Sequence, residues 1–310
     1  MSILDATFFH DETAAYAKLE AVLWPHGPEC PHCGVVNEAS RIAANPGKKV
    51  RNGLYRCNAC KAQFTVTVGT IFESSHIPLH KWLQAAHLLN SSKKGISAKQ
   101  IERILQITYK SAWFMMHRLR EAMAEGALNP FGSTGGAVEA DETYIGRWRR
   151  KGEDERSFQH KMKVLTLIDR ETGQARSVVM GKINSVSVGR VVAKNVAREA
   201  RLMTDQSAVY NDVGREMADH QAVNHSKEEY RRGDAYTNTA EGYFSIFKRG
   251  MKGVYQHCNE KHLHRYLAEF DFRYSNREAL GVNDTARTER ALQGAKGKRL
   301  TYRRTGSVFA

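Results

Sequence analysis

Four cysteines and three acidic residues are the parts of this 310-residue chain whose types and spacing suit chemistry. Cys30-Pro31-His32-Cys33 and Cys57-Asn58-Ala59-Cys60 are two C-x-x-C knuckles with residues 34–56 between them. Each knuckle puts two sulfurs on one tight loop, and two such loops can close tetrahedrally on Zn²⁺, leaving no position open for a substrate. A structural Zn²⁺ on Cys30, Cys33, Cys57 and Cys60 is therefore expected. It should supply much of the folding free energy of so small a unit, on the order of 10–16 kcal/mol by analogy with finger peptides. The pattern lacks the surrounding βαβ context of two redox pairs. Cys258 stands alone, so cysteine usage suits a reducing cytoplasm better than a disulfide framework.

The acids are Asp141, Asp205 and Glu241. Val138 to Gly146 alternates apolar and polar residues as a half-buried strand does, and Asp141 sits in its middle. Asp205 ends a short apolar run, and Glu241 opens a late amphipathic helix. Polar functional residues of mixed α/β sheets gather at strand ends and helix starts. Three carboxylates suffice to hold two Mg²⁺ or Mn²⁺ ions about 3.5–4 Å apart for in-line phosphoryl transfer. Each acid taken singly is ordinary. Asp212 is an alternative to Asp205, and Asp169 reads as a hairpin-turn residue. Glu139 and Glu142 are expected to point away from Asp141. Lys248, two helical turns after Glu241, shares its face and could meet a DNA phosphate.

The elements that must position these residues follow a strand, strand, strand, helix, strand, helix, short strand, helix order. The strands are expected near 138–146, 164–168, 175–180, 201–205 and 223–230. The helices are expected near 184–200, 239–249 and 260–274. Before them, residues 8–24 read as one amphipathic helix. The cysteine knuckles and the alternating stretches around 54–56 and 63–68 read as a zinc ribbon, which gives a first region of 1–75. Residues 76–125 read as helices, with Ser97–Leu105 and Tyr109–Met123 joined by a three-residue turn. Ile101, Ile104 and Leu105 are expected to face Ala112, Trp113, Met116 and Leu119. That pattern fits a helix-turn-helix or an ordinary helical hairpin. In the first case Tyr109, Lys110, Ser111 and Arg118 are the candidate DNA contacts, with Lys93, Lys94 and Lys99 nearby for phosphates. Residues 126–137 read as a linker, 138–277 as the acid-bearing α/β region, and 278–310 as a loosely ordered basic tail.

The formal charge of +14 suits a polyanionic partner, with double-stranded DNA as the first expectation. Arg147, Trp148, Arg149 and Arg150 add a basic stretch in which the tryptophan could stack on a base. No run of about 18 apolar residues marks a membrane span, and the N-terminus does not read as a secretory signal.

At the level of whole motifs the chain resembles the ISXO-type insertion-sequence transposases of bacteria, members of the DDE transposase group. The motifs are Trp24-Pro25-x-Gly27-Pro28-x-Cys30-Pro31-x-Cys33, Phe64-x-Val66-x-Val68-Gly69-Thr70-Ile71-Phe72 and Ala112-Trp113-Phe114-Met115-x-His117-Arg118-Leu119-Arg120. They continue in Asp141-Glu142-Thr143-Tyr144-Ile145-Gly146, Thr237-Asn238-Thr239-x-Glu241-Gly242 and Lys248-Arg249-Gly250-x-Lys252-Gly253, and end near His262 to Tyr274. The resemblance implies an α/β, RNase H-like catalytic domain behind a zinc ribbon and a helix-turn-helix. It implies metal-dependent cutting and joining of transposon ends, carried by Asp141, Asp205, Glu241 and Lys248. It also brings in Asn238, one helical turn before Glu241, as the other candidate for the third metal-site position. Pairing two DNA ends implies at least a homodimer, and the expected location is the bacterial cytoplasm at the nucleoid. The competing readings are a catalytically inactive, transposase-derived DNA-binding protein and a nuclease or resolvase that cuts without joining.

Overall fold

The computed structural model describes residues 2–43, 50–124, 126, 129–146, 161–224, 229 and 231–301. They form two compact units. One comprises Met1–Ser92, Ile96–Ala124 and Asn283–Ala310; the other comprises Lys93–Gly95 and Glu125–Val282.

In the first unit, α1 (Glu12–Leu23) is capped by Asp11, whose side chain accepts from the Ala14 N–H. The helix expected from residue 8 starts later, because Thr7–Phe9 form a separate 3₁₀ turn ahead of the Asp11 cap. Then come β1 (Ala39–Arg41), β2 (Tyr55–Cys57) and β3 (Gln63–Phe64), an antiparallel sheet in that order. Cys30, Tyr55, Cys57 and Phe64 are buried together, with Trp24 packed edge-on against the Tyr55 and Phe64 rings. This core is small, which agrees with a unit that relies on metal.

The helices α2 (Leu79–Ser91), α3 (Ala98–Leu105) and α4 (Tyr109–Met123) follow. Ser97 caps α3 and Thr108 caps α4, each accepting from the backbone N–H three residues on. Gln106 turns the chain between them in the left-handed region at φ 52°. Ile101 and Leu105 are buried, as expected. Ile104 is not: it is 49 % exposed.

The chain beyond 278 departs most from expectation. Residues Asp284–Gln293 form α9, capped by Asn283, with Ala291, Leu292 and Ala295 buried. Arg287 is buried too, and donates to the Asn90 carbonyl at 2.7 Å. The stretch has few apolar residues, so it lacks an apolar stripe; an arginine stem and its hydrogen bond take that place.

In the second unit β4 (Ala137–Ile145), β5 (Met162–Asp169), β6 (Ala175–Met180), β7 (Arg201–Asp205) and β8 (Asp219–Val223) form one sheet in the order β6-β5-β4-β7-β8. β4 and β5 pair antiparallel, as do β5 and β6, whereas β4, β7 and β8 run parallel. The last strand lies earlier than the expected 223–230, because it pairs Arg201↔Asp219 through Asp205↔Val223. One sheet face buries Val138, Ala140, Leu165, Leu167 and Leu202 with Val188 and Val192 of α5 (Ser185–Asn195). The opposite face buries Ile145, Val164 and Ile168 with residues of α7 (Asn238–Gly250) and α8 (Glu260–Ser275). A short α6 (Asn211–Gly214) precedes β8.

Within the expected linker, Phe131 is buried and bridges Val196, with its carbonyl accepting from Ala197. Gly132 follows at φ +69°, where a Cβ would lie 2.5 Å from the Ala200 Cβ. Only glycine fits that close approach in the left-handed region, and it leads the chain into β4.

Candidate active site

The sheet register determines which acids can meet. β4 pairs β7 through Ala137↔Arg201, Val138↔Leu202 and Glu139↔Met203. Continuing that parallel register by two residues sets Asp141, in the middle of β4, against Asp205 at the carboxyl end of β7. On the other side Asp141 pairs with Thr166 of β5. α7 covers this sheet face, and Glu241 stands in its first turn.

The electrostatics report the same gathering. The Asp141 carboxyl is pushed up to about 8, by burial first and then by the charges of Glu142, Asp205 and Glu241. Desolvation and like charge both disfavour the ionised form. Burial also lowers the Lys248 ammonium, against the opposing pull of Asp141, and Lys252 and Lys161 lower it further. Asp141, Asp205, Glu241 and Lys248 are thus brought together, with Lys161 and Lys252 in the same neighbourhood. Asp205 is partly fixed, its Oδ1 accepting from the Ser207 N–H at 3.1 Å. Asn238 is the exposed first residue of α7. Asp212 is exposed and lies 3.9 Å from Arg215. Asp169 is the turn residue expected, accepting from the Glu171 and Thr172 N–H groups.

The two glutamates beside Asp141 behave differently from each other. Glu142 does point to the opposite face, where it accepts from the Tyr210 hydroxyl, and its carboxyl is raised, chiefly by burial. Glu139 does not point away. Strand side chains alternate with a period of two, so residues 139 and 141 share a face. Glu139 is fully buried and accepts from Arg170 and from the Ala240 N–H of α7.

Beside Asp141, the Thr166 hydroxyl is 2.8 Å from that of Ser177, and Ser177 donates to Asp271 from both its N–H and its hydroxyl. Tyr243 of α7 also donates to Asp271. This row ties the site's floor to α7 and α8. Nothing in the local sequence around Asp271 signalled it, whereas the period of two could have revealed Glu139.

The four cysteines form a second centre. Their sulfurs lie within 4.8 Å of one another. Cys30 Sγ is 3.7 Å from Cys60 Sγ, and Cys33 Sγ is 3.6 Å from Cys57 Sγ. A tetrahedron with Zn–S bonds of about 2.3 Å has edges of about 3.8 Å, so the set fits Zn²⁺. Hydrogen bonding from the Cys60 N–H is the main cause that lowers the Cys57 thiol to about 7, whereas Cys33 is raised against the pull of the Val35 backbone, chiefly by its contact with Cys30. The sulfurs share the site's protons unequally, and the fit to Zn²⁺ rests on their geometry. Among the described residues, these four are the only such group of three or more ligands so tightly drawn.

The residues expected at DNA divide. Tyr109 is 50 % exposed, Lys110 is exposed and Ser111 is half-buried beside Thr108. Arg118 is buried. It donates to the carbonyls of Glu73 and Leu300 and lies over the Trp82 and Phe114 rings, so it belongs to the core of its unit. Nine residues at about 100° each turn it to the side of the helix opposite Tyr109. Arg118→Ala should therefore lower stability by about 2–4 kcal/mol in denaturant unfolding, since it strands two carbonyls. Lys110→Ala should leave stability within about 0.5 kcal/mol and reduce the salt dependence of DNA binding by roughly one phosphate contact. Equal effects of the two substitutions on stability would contradict this division. Arg147, Trp148, Arg149 and Arg150 lie outside the described residues. No described helix is long and apolar enough to cross a membrane.

An acid-edged mixed sheet in one unit and a four-thiolate ribbon in the other are features of DNA-transposing enzymes of the DDE class, and comparison with known proteins agrees. Residues 134–275 match the family model of the ISXO2-like transposase domain, and residues 10–63 match that of the transposase zinc-ribbon domain. The chain thus carries an ISXO2-like transposase domain behind a transposase zinc ribbon, and an RNase H-like fold, DNA binding and transposition follow from those families. It is also 27 % identical over 299 residues to an uncharacterized protein in transposable element ISH50 of Halobacterium salinarum, which covers 88 % of this chain and 95 % of that protein.

Proposed function

We propose that the protein binds the terminal inverted repeats of an insertion element and catalyses cation-dependent cleavage and transfer of their strands. The observation that carries this reading is that Asp141, set opposite Asp205 by the sheet register and covered by α7, is raised to about 8 by burial first, with the charges of Glu142, Asp205 and Glu241 adding to it. Three hard oxygen donors within reach of one another's charge suit two divalent cations. When bound, Mg²⁺ or Mn²⁺ would activate water or a DNA 3′-hydroxyl and stabilise the leaving oxygen.

The chain's own residues have distinct parts in the reaction. Asp141 and Asp205 hold the cations from the sheet, and Glu241 closes the set from α7. Glu241 is preferred to Asn238, because its charge acts on Asp141 and a carboxylate binds a hard cation better than an amide. Lys248, with Lys161 and Lys252 near it, receives the phosphates of the strand being cut. The α3–α4 pair acts as a helix-turn-helix, presenting Tyr109, Lys110 and Ser111 to the repeat. Holding two ends calls for a homodimer or a larger assembly on DNA, which places the work at the nucleoid.

The test is the zinc-loaded full chain with end-containing DNA, a target duplex and Mg²⁺ or Mn²⁺. Nicked ends and joined products are expected. Binding without cation-dependent nicking would favour the binding-only reading, and cut ends without joined products would favour a nuclease or resolvase.

A further inference from the structure

Asp141 and Glu241 lie on different elements, and like charge pushes them apart. Apolar packing of Ala240, Tyr243, Phe244 and Phe247 holds the body of α7 on this sheet face. Glu139 fixes its first turn. Its side chain is fully buried, two residues before Asp141 on the same face. Glu139 Oε2 accepts from the backbone N–H of Ala240 at 3.0 Å, one residue before Glu241. Thr237, the N-cap of α7, does not cap the helix with its own side chain. A carboxylate from the neighbouring strand does so instead, at the end where the helix dipole favours negative charge.

Arg170 makes that buried carboxylate tolerable. Its Nε donates to Glu139 Oε1 at 2.7 Å. Its two terminal nitrogens donate to the carbonyls of Asp234 at 2.7 Å and Tyr236 at 2.6 Å, and its guanidinium lies 3.5 Å from the centre of the Tyr236 ring. The planar fork therefore grips the chain just before α7 while neutralising the charge that caps it.

We infer that Glu139 and Arg170 are positioning residues that set the place of Glu241 relative to Asp141, and so preorganise the carboxylates for a divalent cation. The inference rests on the proposed site. Glu139 itself is too committed to serve as a ligand, since each of its oxygens already accepts a hydrogen bond. Loss of the pair frees the first turn of α7 from β4, and the cation must then draw Glu241 back.

The test is Mn²⁺ titration by calorimetry on the zinc-loaded full chain without DNA, beside the Mn²⁺ dependence of cleavage. Glu139→Gln keeps the shape and an acceptor for Ala240 but loses the charge. Arg170→Lys keeps a charge but loses the fork. Each is expected to weaken Mn²⁺ binding roughly tenfold, with DNA affinity unchanged and much of the cleavage rate recovered at saturating Mn²⁺. A folded variant with wild-type Mn²⁺ affinity would overturn the inference, and so would failure of both variants to fold, which would make the pair merely structural. The proposed site fails separately, if the wild-type chain binds no Mn²⁺ that Asp141→Asn abolishes.

Discussion

Asp141→Asn should abolish cleavage and strand transfer, by at least about 10³-fold, while leaving affinity for end-containing DNA within about threefold. The substitution changes one oxygen to an NH₂ and little else in volume. It removes the proposed ligand on which the charges of Glu142, Asp205 and Glu241 all act. A loss of about 10³ corresponds to roughly 4 kcal/mol of transition-state stabilisation, the size expected when a cation that carries developing charge is displaced. Asp205→Asn should fall in the same range. Lys248→Ala should cost less, about tenfold, since its proposed part is a phosphate contact and not a cation ligand. DNA affinity is spared because it depends on cationic contacts elsewhere. An amide does not ionise on unfolding as the Asp141 carboxyl does, so the variant should also be more stable in the absence of divalent cation, and inactivity could not be attributed to unfolding. Gel analysis of labelled ends with Mg²⁺, together with a binding isotherm in a cation-free buffer, separates the two effects. Retention of more than a tenth of wild-type cleavage would remove Asp141 from the centre of the site.

Much of the arrangement could be read from local pattern, and the exceptions share a cause. The knuckles of Cys30, Cys33, Cys57 and Cys60 were legible because two C-x-x-C turns have few other uses, and their sulfurs do converge. The strands around Asp141 and Asp205 were legible from alternation and from short apolar runs. What the sequence concealed depends on partners distant along the chain. Arg118 looks like a surface cation on a DNA-facing helix until Glu73 and Leu300 are found beside it. Arg287 looks like part of a solvated tail until the Asn90 carbonyl meets it. The Glu139–Ala240 contact joins residues 101 positions apart. Its face was nevertheless deducible, since a strand's period of two places Glu139 with Asp141. Ile104 shows the opposite failing. An apolar residue at helical spacing was assigned to a core that Ile101 and Leu105 already fill.

The raised Asp141 carboxyl makes stability depend on pH in a direction opposite to that of most paired carboxylates. Its folded value is about 8, against about 3.9 when unfolded. Between those values the folded chain keeps a proton that the unfolded chain has released, so stability falls as pH rises through this window. Below about 4 both states are protonated, and well above 8 both are ionised, so the group adds no slope there. From pH 6 to pH 8 the loss should be about 2 kcal/mol, or about 5 °C in Tm for a unit of this size. Glu142 is raised as well, chiefly by burial, and acts in the same direction. The imidazoles of His87, His220 and His262 are lowered, in each case chiefly by burial. They oppose the slope only below about 6.5, where the unfolded chain takes up their protons. Zinc thiolates also protonate at low pH, so the useful range begins near neutrality. The comparison is therefore wild type against Asp141→Asn, melted at pH 7 and pH 8 with zinc present and no chelator. The wild type should lose stability over that interval and the variant should lose much less. Added Mg²⁺ should restore the wild type at pH 8 and do little for the variant, because the ionised acids that repel one another are the groups proposed to bind the cation. Identical slopes in the two proteins would mean that Asp141 is not raised by burial and its acidic neighbours, and the case for a cation site where the middle of β4 meets the end of β7 would lose its main physical support.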